Sequence, residues 1–226
     1  MAAPTFLKTG RKIVAIGRNY LLHIKELNHT VPTSPFFFLK PTTSYLPNNS
    51  TVPLPRGIIA HHEVELGVVI GSKARAVPRD GAMKYVGGYA LAIDVTARNL
   101  QDKVRKEGLP WSAAKGFDGF NPVGRFIEKD EVKDPHNLSL WLKVNGQLKQ
   151  SGPTSDMIFQ IPQLIEHVSS IMTLEPGDLL LTGTPSGVGP MNDGDKVICG
   201  LMQGDKELDR LVVDVRERDD GYVFEA

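Results

Sequence analysis

Two glutamates separated by one residue constrain this chain more than any other feature. Glu63 and Glu65 lie inside His61-His62-Glu63-Val64-Glu65-Leu66-Gly67-Val68-Val69-Ile70, whose Val and Ile content predicts a β-strand. A strand sends residues i and i+2 to one face, so both acids point one way while Val64, Leu66 and Val68 point the other. The chain must bury the second side in a core and give the first something that tolerates adjacent carboxylates. Such a pair repels unless it shares a proton or a cation. Oxygen-only ligands on a rigid strand suit a hard divalent ion such as Mg²⁺ or Mn²⁺. The competing reading is a solvated strand face with two ordinary surface acids.

A third acid shifts that balance toward an ion. Tyr89-Ala90-Leu91-Ala92-Ile93-Asp94 is an apolar run that predicts a second buried strand ending on a carboxylate. The following residues predict a helix over 96–107, closed by Gly108 and Pro110, with Thr96 or Asp94 available as its cap. Capping alone would explain Asp94. Arg98 and Gln101 point further, because positions 94, 98 and 101 share one stripe at i, i+4 and i+7. Acid, guanidinium and amide in a row suggest a metal ligand, a carboxylate clamp and a hydrogen-bond donor.

The 226 residues are enough for one domain, expected to span 1–226, with a sizeable core. Lys+Arg and Asp+Glu both number 26, and neutrality argues against nucleic acid or an anionic membrane as partner. Cys199 is the sole cysteine, so no intrachain disulfide forms and a reducing compartment fits. No run approaches the ~18–20 apolar residues that span a bilayer. Lys8, Arg11, Lys12, Arg18 and Lys25 all precede the first acid, Glu26. This reads either as the remnant of a mitochondrial presequence or as the domain's own start, since 12–17 already predicts a strand.

Strands outnumber helices. Short buried strands are expected at 12–17 and 36–39, and longer ones at 63–70 and 88–94. A hairpin turns at Asn145-Gly146, the favoured type I′ pair, after a strand at 138–144. Further strands are expected at 179–182, 196–199 and 211–216. Helices are expected at 20–27, 96–107 and 162–172, the last opening on proline. Loops are expected at 41–57, 117–125, 150–156 and 183–195. The pattern is α+β with a mixed sheet rolled on itself.

Other residues carry possible chemistry. Gly183-Thr184-Pro185-Ser186-Gly187-Val188-Gly189 follows a buried strand, where backbone N–H groups can approach an anion. It lacks both the Walker ending and dinucleotide spacing, and a purely structural turn is an equal reading; Thr184 could donate its hydroxyl to a substrate carboxylate. His23 and Glu26 stand three apart on the 20–27 helix and can meet. A carboxylate fixes the imidazole tautomer and raises its basicity, making a general base with a bound water, or else the two form an ordinary surface ion pair. Lys115, among small and aromatic neighbours, is either a snorkelling surface residue or a cation for a developing oxyanion. His61 and His62 adjoin the acids, but neighbours on a strand point apart, so at most one faces them. His29, His136 and His167 show no partner.

Taken together, Gly17-Arg18-Asn19-Tyr20, Phe38-Leu39-Lys40-Pro41, His62-Glu63-Val64-Glu65-Leu66, Asp94-Val95-Thr96-Ala97-Arg98, Gly108-Leu109-Pro110-Trp111, Ala114-Lys115-Gly116-Phe117-Asp118 and Leu181-Thr182-Gly183-Thr184-Pro185 resemble the fumarylacetoacetate hydrolase domain family. The stretches run in family order across nearly the whole chain. The Gly-Leu-Pro-Trp segment resembles the small eukaryotic branch of acylpyruvases, oxaloacetate decarboxylases and oxaloacetate tautomerases. The resemblance implies a mixed β-sandwich roll with a few peripheral helices, a homodimer, and Mg²⁺ or Mn²⁺ held by Glu63, Glu65 and Asp94. It implies that Arg18, Arg98, Gln101, Lys115 and Thr184 surround the substrate. It also implies that His23 and Glu26 activate water on a lid of about residues 18–30. A mitochondrial location follows, with the cytosol as alternative.

The chemistry expected of these residues is an enolate. A divalent Lewis acid stabilises negative charge on a 2-oxo group, Lys115 adds charge there, and Arg98 holds a carboxylate in a planar fork. Reprotonation gives tautomerisation, loss of a β-carboxylate gives decarboxylation, and water attack on a γ-carbonyl gives carbon–carbon hydrolysis. A small polar lining would favour short 2-oxo acids such as oxaloacetate over aromatic acylpyruvates. Two readings of another class stand beside the enzyme. A non-catalytic, metal-stabilised interaction protein would need the three acids but neither Lys115 nor the His23–Glu26 pair. A phosphate-binding module on 183–189 would need basic residues near that loop.

Overall fold

In the computed structural model, residues 5–26 and 30–225 are described. Among them, three sheets form. The largest has eight strands, running in space Phe36–Lys40, Ile13–Gly17, Leu179–Leu181, Val64–Ile70, Val86–Ile93, Asn121–Val123, Tyr45–Pro47, with Ile127–Glu128 also pairing to Val86–Ile93. A five-stranded sheet runs Gln147–Pro153, Ser139–Val144, Lys196–Gln203, Lys206–Glu217, Ser50–Leu54. A three-stranded ribbon joins Gly189–Met191, Ala60–His62 and Thr96–Ala97. Most pairs are antiparallel, but Ile13–Gly17 with Leu179–Leu181, Tyr45–Pro47 with Asn121–Val123, and Ser50–Leu54 with Lys206–Glu217 are parallel. The sheets are therefore mixed, as expected.

Burial explains the apolar runs. Val64, Leu66 and Val68 face a core shared with Leu140, Leu142, Val197 and Val213 of the five-stranded sheet. The opposite face of the large sheet buries Ala15, Val69, Ala90, Ala92, Leu179 and Leu181 beneath Phe6 and the half-buried Phe38, Tyr45 and Phe126. Covered on both faces, Val64–Ile70 is buried throughout, which is why its sequence runs apolar rather than alternating. The small side chains Ala15, Ala90 and Ala92 leave room on the second face, the side toward which Glu65 points.

Several expectations change. The helix begins at Arg98, not 96, because Thr96–Ala97 pairs with Ala60–His62. Neither Thr96 nor Asp94 caps it; both side chains turn into the site. Asp94 thus stands off the helical stripe, and only Arg98 and Gln101 share it. Phe36–Lys40 is an edge strand with Leu39 exposed, so only partly buried. The expected loops at 41–57 and 117–125 contain Tyr45–Pro47, Ser50–Leu54 and Asn121–Val123. The 20–27 helix is observed at Leu21–Glu26, and 27–29, including His29, lies outside the described residues. The third expected helix, 162–172, is observed at Ile161–Ile171 with proline in its first turn.

Candidate active site

The end of the large sheet gathers the three acids. Glu63 sits between Ala60–His62 and Val64–Ile70, Glu65 is the second residue of Val64–Ile70, and Asp94 follows Val86–Ile93. The Asp94 backbone N–H donates to the Glu63 carbonyl at 2.8 Å, which ties the two strand ends together. One carboxylate oxygen from each of Glu63, Glu65 and Asp94 lies within 4.8 Å of the other two, and all three residues are buried. Stripe geometry brought Arg98 and Gln101 to this place; strand pairing brought Asp94.

Two lysines meet the acids. Lys115, the last residue of the short helix Ser112–Lys115, is 2 % exposed. Its Nζ donates to Glu63 Oε2 at 3.0 Å and Asp94 Oδ2 at 2.6 Å and stands 4.8 Å over the Phe38 ring. Lys40, wholly buried, donates to Asp94 Oδ1 and, at 2.7 Å, to the Phe120 carbonyl. Lys40 lies within a family-like stretch, but its neighbours in sequence do not point to Asp94. Its one sequence signal is a lysine closing a strand of three phenylalanines.

Electrostatics separate these groups. Burial works against the charge on Lys115, but Asp94 and Glu63 outweigh it and raise its pKa, so it stays an ammonium. Lys40 shifts the other way, because complete burial outweighs Asp94. Burial would raise the Glu63 pKa, yet Lys115 and Arg98 overcome this and hold it well below the carboxylate range. Glu65 is pushed well above that range by burial and by the charges of Asp94 and Glu63. Its Oε2 accepts the Gly183 N–H at 2.7 Å. The donor set is all oxygen, and among the described residues Glu63 and Asp94 have cationic side chains in contact while Glu65 has none. These residues fit a hard divalent ion.

A cavity of about 300 Å³ opens over the acids, at the lower end of the roughly 300–1,000 Å³ typical of ligand pockets. Its wall includes Arg18, His23, Glu63, Glu65, Asp94, Arg98, Gln101, Lys115 and Thr184, every candidate residue except Glu26. Glu26 stands behind His23, with Oε2 3.2 Å from Nδ1, and its carboxylate accepts the Gly187 N–H at 3.1 and 3.2 Å. His23 is buried and Glu26 half-exposed. Phe38, Trp111 and Ile16 also line the cavity, so the lining is not purely small and polar as the sequence suggested.

Two expected roles meet competing bonds. The Arg98 guanidinium is engaged by Nη2 to Glu63 Oε1, by Nη1 to Gln101 Oε1 at 2.5 Å, and by Nε to His61 Nδ1 at 3.3 Å. Its planar fork therefore grips a site acid rather than standing open. Burial and Arg98 together lower the His61 pKa to about 4, so His61 serves as a neutral acceptor. Thr184 Oγ1 donates to the Val64 carbonyl at 2.8 Å, which spends its proton within the wall. Arg18, by contrast, projects from a backbone at φ +57° and lies 5.7 Å from the Phe36 ring centroid.

A buried oxygen triad crossed by a lysine, with an imidazole–carboxylate pair at its rim, defines a metal-site architecture in a mixed β-roll. The fumarylacetoacetate (FAA) hydrolase C-terminal profile matches residues 12–215, and the chain belongs to that family. It is 53% identical over 206 residues to the mitochondrial oxaloacetate decarboxylase of Dictyostelium discoideum, covering 90% of this chain and 94% of that one. It is 55% identical over 195 residues to a mitochondrial oxaloacetate tautomerase of Arabidopsis thaliana, covering 86% and 87%. Among solved structures, fumarylpyruvate hydrolase from Pseudomonas aeruginosa, in complex with Mn²⁺ and pyruvate, superposes with a TM-score of 0.85 at 32% identity, covering 92% and 91%.

Proposed function

We propose that this protein is a mitochondrial, divalent-metal-dependent enzyme that works through the enolate of short 2-oxo acids, with oxaloacetate keto–enol tautomerisation as its main reaction and decarboxylation beside it. The observation that carries this reading is the buried Glu63–Glu65–Asp94 triad with Lys115 across it, at the floor of a small cavity. Glu63, Glu65 and Asp94 would hold Mg²⁺ or Mn²⁺, which when bound supplies a Lewis acid toward a 2-oxo oxygen. Lys115 contributes a second positive charge on the same side. Arg18 and Gln101 receive the substrate carboxylate. Arg98 keeps Glu63 ionised and oriented, and Thr184 braces the wall. His23, with its ring fixed by Glu26, moves the carbon-bound proton between substrate and solvent. Residues 18–30 act as a lid, and 1–226 as one catalytic domain, assembled as a homodimer.

The presence of Lys115 and His23 in one cavity with the acids speaks against a non-catalytic metal site, which needs neither. The His23–Glu26 contact favours one second reading, acylpyruvate hydrolysis, in which the same pair deprotonates water. The test is three initial rates on one preparation with saturating Mg²⁺: loss of oxaloacetate enol absorbance, pyruvate release from oxaloacetate, and acylpyruvate cleavage. Tautomerisation is expected to be fastest. Glu26→Gln is expected to slow cleavage most and decarboxylation least, since loss of carbon dioxide needs no attacking water. Glu63→Ala or Asp94→Ala should abolish all three, together with the Mg²⁺-induced rise in thermal midpoint. A parent protein whose midpoint ignores both Mg²⁺ and Mn²⁺ would overturn the metal site.

A further inference from the structure

We propose that Gln150 is a positioning residue: its side-chain amide holds the 183–187 loop against the acid-bearing strand and thereby sets the anchor that Glu26 uses. Gln150 belongs to the five-stranded sheet and is 1 % exposed. Its Oε1 accepts from the Val64 N–H at 3.1 Å and faces His62 Nδ1 at 2.9 Å. Its Nε2 donates to Thr184 Oγ1 and to the Pro185 carbonyl, both at 2.8 Å. The Val64 N–H is donor only, so it fixes which end of the amide is oxygen. His62 Nδ1 must then carry its proton. One side chain thus clasps His62 and Val64, the residues on either side of Glu63, and the loop that meets Glu65 through Gly183.

The local backbone is shaped for this contact. Pairing of Ser139–Val144 with Gln147–Pro153 shifts register between Leu142 and Lys143, matching Lys143 to Leu148 and Leu142 to Gln150. Lys149 is the extra residue of a bulge, a device that re-aims a neighbouring side chain. Gly187, at φ +91°, seats directly on the Lys149 carbonyl oxygen, where a Cβ would collide. From that seat its N–H reaches the Glu26 carboxylate. A hydrogen-bonded path therefore runs from His23 and Glu26, through Gly187 and the loop, to Gln150 and the strand carrying the acids. The sequence predicts a loop from residue 150, whereas the bulged strand turns Gln150 inward.

The activity arm of the test rests on the functional reading above; the exchange arm does not. Gln150→Glu keeps an acceptor for Val64 and His62 but cannot donate to Thr184 or Pro185. Gln150→Met loses both, and Thr184→Val withdraws one of the two loop-side acceptors with Gln150 intact. Hydrogen exchange measured by mass spectrometry is expected to speed up in residues 183–189 in all three. Gln150→Glu should lower kcat by about tenfold to a hundredfold, the scale for displaced site groups, with KM and Mn²⁺ affinity near those of the parent. Adding Glu26→Gln to Gln150→Glu should cost little more, because both act through one anchor. Parent-like exchange in 183–189 for whichever variants fold, or fully additive losses with Glu26→Gln, would overturn the proposal. A parent inactive on every 2-oxo acid would overturn the functional reading alone, and exchange would still decide the role of Gln150.

Discussion

Lys115 bridges Glu63 and Asp94, two of the acids that would hold a divalent ion, so its removal acts on both stability and activity. Without added metal, Lys115→Met leaves three crowded acids facing only Lys40 and Arg98. Stability should fall by roughly 3 kcal/mol, the lower end for breaking a buried ion pair. Saturating Mn²⁺ should restore most of that loss, because the divalent ion replaces the missing charge, while activity stays about 10²–10³ lower, as when one oxyanion donor is lost. Thermal midpoints with and without Mn²⁺, alongside initial rates, check both halves. Mn²⁺ affinity that falls in step with activity would make Lys115 a support for the ligands only. At this scale the acids were readable from sequence because strand alternation and the end of an apolar run announce them. Lys40 and Gln150 were not, because what defines them is a partner 54 and 34 residues away, Asp94 and Thr184.

Among the elements, the hairpin at Asn145-Gly146 was the most legible. Asn145 adopts φ +50° and Gly146 φ +80°, the two positive angles a type I′ turn demands. Nothing lies within 4 Å of a Cβ placed on Gly146, so Gly146→Ala is penalised by backbone conformation and not by collision. A loss of about 1 kcal/mol is expected, with kcat and KM unchanged; chemical denaturation and steady-state rates measure it. A loss of several kcal/mol would mean the turn also governs sheet register. The start of the Arg98–Lys106 helix was less legible. Thr96 and Asp94 are good caps by composition, but Thr96 Oγ1 donates to Glu63 Oε1 at 2.9 Å and Asp94 receives both lysines. Site chemistry outbid capping. Ser50–Leu54, which contains Pro53, became a strand because an edge position leaves one side free of ladder bonds.

At the scale of the whole molecule, the sheets are joined by contacts between distant segments. Arg125 meets Glu131 through Nη1 at 2.9 Å and Nη2 at 2.7 Å and bonds the Leu208 carbonyl at 3.0 Å, fastening the large sheet's periphery to the five-stranded sheet. The Arg125 hydrogen bonds and the Glu128 N–H lower the Glu131 pKa from 4.5 to about 2. A depressed carboxylate stabilises the fold above its unfolded value and loses that contribution as pH falls toward its folded value. Solvent screening keeps the effect near 0.5–1 kcal/mol. Glu131→Gln should therefore be less stable than the parent at neutral pH, with the gap closing between about pH 4.5 and 2; denaturant midpoints across that range test it. By itself the sequence determined the mixed, strand-rich class, the acid pair and third acid, the His23–Glu26 pair and the Asn-Gly turn, because each depends on periodicity or on neighbours within a few residues. Only the tertiary structure decided that Arg98 grips Glu63, that two lysines share Asp94, that edge segments become strands, and that Gln150 reaches the acid-bearing strand. Those outcomes depend on which distant groups burial leaves in need of a partner.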